Sequence, residues 1–280
     1  MQINHTVPYF LENYDSSIVF LNHYHQKFTR SFEEYFLYHC SNKEQKMEKA
    51  LVQYPLKMSD LKKSSDKIER LIKEVVFNYQ QRYEVEFTKD VHIIVGLYGS
   101  NAFTERQVIP EVTFCLEKLS AEDEHLKVII AHEFGHVVQN LLSDQENVDW
   151  LNMKWSHPYT MLFQEGSATY FSEQVVRANQ SVYFSYDDNG QEWLQFAEAH
   201  KRRIVTKFVE DVKQCTDAEL FREWFSINGG SHFGFTRLAY YIGYEVIQVL
   251  LEQYSEREAI TLWKRADFHD EIEFVLSGLR

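Results

Sequence analysis

The sequence predicts an α+β fold, with a small mixed sheet packed on one central helix and a predominantly helical C-terminal part. Three observations carry that expectation. Short β-branched runs cluster just ahead of position 120. The run Val128–Ala131 that follows them is apolar on nearly every side, as a helix buried all round must be. From about position 161 the spacing is helical to the end of the chain, interrupted by the turn SYDDNGQ and by the glycine-containing stretch SINGGSHFG.

The first part, to about Tyr83, is polar with helical spacing. DKIERLIKEVVFNYQQRY puts Ile68, Leu71, Ile72, Val75, Val76 and Tyr79 on one face, at steps of three and four. VHIIVGLYG, from Val91, is short, β-branched and ended by glycines, and reads as a buried strand. EVTFCLEKL alternates Val112, Phe114 and Leu116 against Thr113, Cys115 and Glu117, the period of a half-exposed strand at a sheet edge. SNAFTERQVIP between them reads as a loop. Ser120 followed by Asp123 reads as the N-cap of the central helix. A second helix is expected from near Met161, after a polar connection with three aromatics.

Composition bounds the function. Of 280 residues, 44% are hydrophobic and 15% aromatic, with only four prolines, enough apolar surface for a large core. One domain over 1–280 is expected, with a helical N-terminal extension (1–85), the sheet and the two helices that follow it (86–175) and a helical C-terminal part (176–280). The net charge of −13 argues against a nucleic-acid partner or a polybasic membrane patch, both of which need clustered Lys and Arg. Cys40, Cys115 and Cys215 are far apart and odd in number, so no disulfide framework is expected and the thiols suit a reducing compartment. The N-terminus lacks a basic segment followed by an apolar run, and no stretch reaches the ~18 apolar residues of a membrane span. A cytoplasmic location is therefore expected, with no membrane partner. Oligomeric state is not encoded in any pattern of the sequence.

The chemistry concentrates in AHEFGHVVQN. His132 and His136 stand four apart, one turn along a helix and on one face, so their imidazoles can converge on one tetrahedral ion such as Zn2+. Glu133 is turned about 100° away from His132, by the 3.6-residue period. It is placed to take a proton from a metal-activated water and pass it to a leaving amine. Gly135 admits a close approach at a cost of about 1 kcal/mol of helix propensity relative to alanine. A catalytic zinc site takes three protein ligands. FQEGSATYFSE offers Glu165 as the third, beside the small residues Gly166, Ser167 and Ala168, which let its helix pack closely on the first. Thr169, one turn on, could orient the Glu165 carboxylate.

Those residues carry a resemblance. HExxH followed some thirty residues later by a helix with Glu-Gly-x-Ala resembles the gluzincin pattern of thermolysin-like zinc peptidases. It is most similar to the predicted zinc-dependent proteases of the DUF2268 group. The matching pieces are AHEFGHVVQ, FQEGSATYF and GFTRLAYYIGYEVI, within roughly 91–250. The resemblance implies a zincin-like fold, a zinc metallopeptidase acting on a peptide or protein, His132, His136 and Glu165 as ligands, and Glu133 as general base. It makes EVTFCLEKL the edge strand on which a peptide could lie as an added strand. It also implies a donor for the oxyanion. Tyr240, Tyr241, Tyr244 and His232 are available, with Tyr241 favoured and Tyr240 next. Thermolysin-like enzymes carry an Asp one turn after the ligand Glu; Thr169 stands there in this chain and leaves the orienting contact open. The rival expectation is a zinc-containing binding or regulatory module without activity.

The remaining candidates read as structure. His23 and His25 face different sides of a helix, His92 sits in a strand, and His157 follows two tryptophans and could line a cleft. DDNG at Asp187 is too short for a calcium loop and reads as a turn.

Overall fold

A computed structural model describes all 280 residues. The chain is mostly helical with one mixed four-stranded sheet, an α+β fold. It divides into two compact units, Met1–Phe134 and Gly135–Arg280. No helix is long and apolar enough to cross a membrane.

The first unit runs β1 (Ile3–His5), α1 (Val7–Asn13), α2 (Ile18–Lys27), α3 (Thr29–Glu34), a π-helical turn (Tyr35–His39), α4 (Lys43–Ser65), α5 (Ile68–Tyr83), β2 (Val91–Ile94), β3 (Ala102–Thr104) and β4 (Val112–Cys115). Helix α6 (Asp123–Gln145) begins in it and continues past Phe134. All six apolar residues expected on one face of α5 are buried, each such side chain contributing roughly 1.5–3 kcal/mol. The α6 start differs from expectation: Ser120 accepts from the Glu122 N–H at 3.2 Å and lies 2.8 Å from His125 Nδ1, so it braces the entry to the helix from outside its first turn.

The strands are ordered β1-β2-β4-β3, parallel except for β3 against β4. Three departures from the sequence reading follow. Ile3–His5 is a strand within the segment expected to be helical, because its backbone pairs with Val91–Ile93. Ala102–Thr104, expected as loop, returns antiparallel along β4. EVTFCLEKL is consequently no edge: β4 is hydrogen-bonded on both sides and buried along its length. Its alternation misleads because Thr113 and Cys115 are small enough to be covered, at 1% and 0% exposure. An added peptide strand has no free side of β4 to join.

A buried carboxylate holds the loop after β2. Glu117 accepts from the Gly96 N–H at 2.8 Å and the Tyr98 N–H at 3.0 Å, while the Tyr35 hydroxyl accepts from Leu97 and Gly99 at 2.6 and 3.0 Å. Burial pushes Glu117 up to about 7 despite those N–H bonds. The folded state therefore holds this proton where the unfolded chain has lost it. Glu117 contributes nothing adverse below pH 4.5, and stability falls as pH rises from there to about 7. At 1.36 kcal/mol per unit the loss is about 3 kcal/mol at most. Urea unfolding of the unchanged chain and Glu117→Gln at stepped pH should differ by that falling slope between pH 4.5 and 7. Parallel slopes would show that Glu117 stays charged when folded.

The second unit contains the C-terminal half of α6, then α7 (Pro158–Val175), α8 (Val182–Ser185), α9 (Gly190–Ala199), α10 (Lys201–Gln214), α11 (Asp217–Trp224), α12 (Leu238–Gln253), α13 (Glu256–Ile260) and α14 (Phe268–Gly278). Helices α7 and α12 touch backbone to backbone. A Cβ placed on Gly166 would lie 2.2 Å from the carbonyl carbon and oxygen of Gly243, and one on Gly243 would lie 2.3 Å from the Leu162 carbonyl oxygen. The break between α11 and α12 falls on the glycine stretch expected from the sequence, with Gly230 and Gly234 at φ +82° and +78°, a conformation open to glycine. DDNG is a turn, its Asp187 carboxylate accepting from the Asn189 N–H at 2.8 Å.

Candidate metal centre

The site begins with one turn of α6. His132 and His136 project from the same side of a continuous helix, His132 at 2% exposure. Helix α7 starts at Pro158, three residues before the expected Met161. Proline suits the first helical position because it has no N–H to lose there, and the His157 ring accepts from the Tyr159 N–H at 3.2 Å as the cap. That start sets Glu165 two turns into α7, where small residues let α6 come close. A Cβ on Gly135 would sit 3.0 Å from both the Cα and the carbonyl oxygen of Ala168. The Gly135–Ala168 approach draws His136 and Glu165 together, Nε2 to Oε2 at 3.7 Å.

Ligand atoms of His132, His136 and Glu165 all lie within 4.8 Å of one another. The 3.7 Å His136–Glu165 separation is too long for a hydrogen bond. It is near the roughly 3.3 Å that separates two ligands of one tetrahedral ion with bonds of about 2.0–2.1 Å. Two imidazoles and a carboxylate are the donor set that suits zinc. Residues and spacing therefore fit the ion. Glu133, beside His132 on α6, is 7% exposed, so any charge it carries is poorly hydrated.

The supporting contacts differ from the sequence reading. Thr169 Oγ1 donates to the backbone carbonyl of Glu165 at 2.9 Å. Its one proton is spent on its own helix and does not reach the Glu165 carboxylate. Glu173, which the sequence reading did not single out, accepts from the Tyr244 hydroxyl at 2.8 Å and ties α7 to α12. No motif marks Glu173; only its spacing of eight from Glu165, two turns along α7, could have drawn attention to it.

The oxyanion candidates are scattered by their partners. Tyr241 is buried at 4% exposure; burial and then the neighbouring Glu245 push its hydroxyl well above the usual tyrosine range. Glu245 also binds Lys201 at 2.7 Å. Tyr240 is half-buried on α12, with the Arg237 guanidinium 5.5 Å from its ring centre. His232 is taken up by Asp211 at 2.8 Å, a buried carboxylate that also receives Trp224 Nε1 and Lys207 Nζ. His157 stacks on His269 at 3.7 Å. His23 lies against Tyr9, and His25 sits between the Phe32 and Phe36 rings, burial and then Lys43 pushing it down to about 3. His25 is thus an apolar-core histidine.

Residues 60–155 match the family model for peptidase family M48. The match spans about a third of the chain, includes all three residues of the α6 motif, and ends ahead of Glu165. Peptidases of this family are metallopeptidases in which zinc is typical, so the match supports a zinc-metallopeptidase family and a hydrolase. No curated protein and no solved structure matches the chain.

Proposed function

We propose that this chain is a zinc-dependent peptidase that hydrolyses peptide bonds, with a zincin-like arrangement of the gluzincin type nearest the DUF2268 group. The observation that carries the reading is the gathering of His132, His136 and Glu165 from α6 and α7, within a chain whose residues 60–155 resemble a metallopeptidase family. His132, His136 and Glu165 would hold the ion, leaving a fourth position for substrate or water. When bound, zinc would polarise the scissile carbonyl and raise the acidity of water at the site.

The chain's own groups do the rest. Glu133 accepts the proton of the attacking water and returns it to the departing amine. Small residues at Gly135 and Ala168 hold the two ligand helices at a fixed close approach, so the site is set before substrate arrives. Tyr240 and Tyr241 on α12 are the candidates for the oxyanion donor. Tyr240 has the more open position, and Tyr241 would have to leave Glu245 to serve. The enzyme acts in the cytoplasm on a peptide or protein.

The test is elemental analysis of protein purified without chelators, paired with cleavage of a mixed peptide library. Zinc at the α6–α7 site should be lost in His136→Ala and in Glu165→Ala, together with cleavage. Both variants keeping the full zinc content of the unchanged chain would remove the site. Zinc lost as expected, with no peptide cut by the unchanged chain, would make the protein a zinc-holding binding module.

A further inference from the structure

The sheet carries a second group of metal-capable side chains that plays no part in the peptidase reading. Its members sit side by side across three strands. His92 on β2 pairs with Thr113 on β4. Glu111 precedes Thr113 by two residues and so points to the same face. The β3–β4 register continues one step past Thr104↔Val112 to set Glu105 opposite Glu111, as the Glu105 N–H bond to the Glu111 carbonyl at 2.9 Å shows. Nitrogen and carboxylate oxygens of His92, Glu105 and Glu111 lie within 4.8 Å of one another. The three side chains are 1%, 5% and 12% exposed.

Two carboxylates directly opposite on paired strands repel each other, and burial makes the repulsion worse. One cation answers them. Arg30 on α3 reaches Glu111 at 2.6 Å and Glu105 at 3.6 Å, the second beyond hydrogen-bond distance. Arg30 is itself 56% exposed, so its guanidinium can swing into solvent without crossing packed side chains. Glu33 and Glu34 add further negative charge nearby. The two carboxylates thus share one half-exposed arginine, with Gln107 Nε2 also donating to Glu105 Oε2 at 2.8 Å.

We propose that His92, Glu105 and Glu111 form a second divalent-cation site, of the zinc class, in which Arg30 is the counter-ion that the metal displaces. The donor set is one imidazole and two carboxylates. Its nitrogen disfavours magnesium and calcium, which take oxygen ligands. Ser31 fits the same role. With carboxylate Glu111 Oε2 at 2.8 Å, His92 Nε2 must carry a proton, and Nδ1, 2.9 Å from Ser31 Oγ, takes the hydroxyl proton. On metal uptake Nε2 gives up its proton and Nδ1 takes one up through solvent, so the ring stays neutral and the Ser31 hydroxyl turns from donor to acceptor. Either tautomer is satisfied, as a ligand histidine with a fixed outer partner requires. The metal would add a side-chain link across strands that backbone pairing already joins, where one exposed arginine now bridges the carboxylates.

The test uses the full chain and zinc alone. Calorimetric titration of metal-stripped protein should show a zinc-binding event that survives His136→Ala and is lost in Glu111→Gln and Glu105→Gln, so this site and the peptidase site fail independently. Arg30→Ala, which keeps every ligand, should tighten that event about tenfold and enlarge the rise in Tm on adding zinc. Crystals soaked in zinc should show anomalous scattering between His92 and Glu111. Binding unchanged in the glutamine variants, no gain in Arg30→Ala, or no anomalous peak in fully loaded crystals would each overturn the proposal.

Discussion

Glu133→Gln is expected to leave zinc content and Tm near those of the unchanged chain and to lower kcat by about 10²- to 10⁴-fold, the range for loss of a general base. The amide has the shape of the carboxylate but cannot accept a proton near neutral pH. At 7% exposure Glu133 stands almost out of water, and replacing a poorly hydrated charge by a neutral amide carries no desolvation cost. His132, His136 and Glu165 are untouched, so the metal has no reason to leave. KM should move little, because the proton is transferred only on the way to the transition state. The measurement is kcat and KM on one library-derived peptide, with zinc counted on the same samples. A variant that retains turnover within a few-fold would take the base role away from Glu133, whatever the metal does.

The centre of the candidate site was readable because it is local. A four-residue spacing on a helix apolar all round needs no tertiary information to place two imidazoles together, and small residues beside Glu165 foretold a close helix approach. What lay beyond reach depended on pairing between distant segments. Ile3–His5 has no strand signature of its own and is a strand because residues 91–93 lie beside it. The interior position of β4 depends on a three-residue return strand inside a stretch rich in turn formers. Once that strand pairs, Thr113 and Cys115 are covered and the apparent solvent face disappears. The same register gathers His92, Glu105 and Glu111, which the sequence leaves thirteen and six residues apart with no motif. Thr169 turned away for a simpler reason: a helical threonine has its own i−4 carbonyl within reach, and its hydroxyl donates there.

Gly166→Ala is expected to destabilise the second unit by about 3 kcal/mol or more, toward the upper end of what overpacking costs. Elsewhere in a helix this exchange helps, by roughly 0.5–1 kcal/mol. Gly278→Ala supplies that control, since a Cβ there meets nothing within 4 Å. At Gly166 the added methyl would lie 2.2 Å from the Gly243 carbonyl carbon and oxygen. Those are backbone atoms, so no rotamer change relieves the overlap; α7 and α12 must separate along their contact. Gly243→Ala meets the Leu162 carbonyl oxygen at 2.3 Å and should behave alike. The effect should also reach the metal. Glu165 precedes Gly166 on α7, and its position opposite His136 depends on how α7 sits. Urea unfolding should therefore show a lowered midpoint, and zinc titration of the still-folded fraction a weakened α6–α7 site, although no atom of Gly166 is a ligand. A Gly166→Ala chain as stable as Gly278→Ala would mean that the two helices have room to part, and that the close crossing does not fix the ligand geometry.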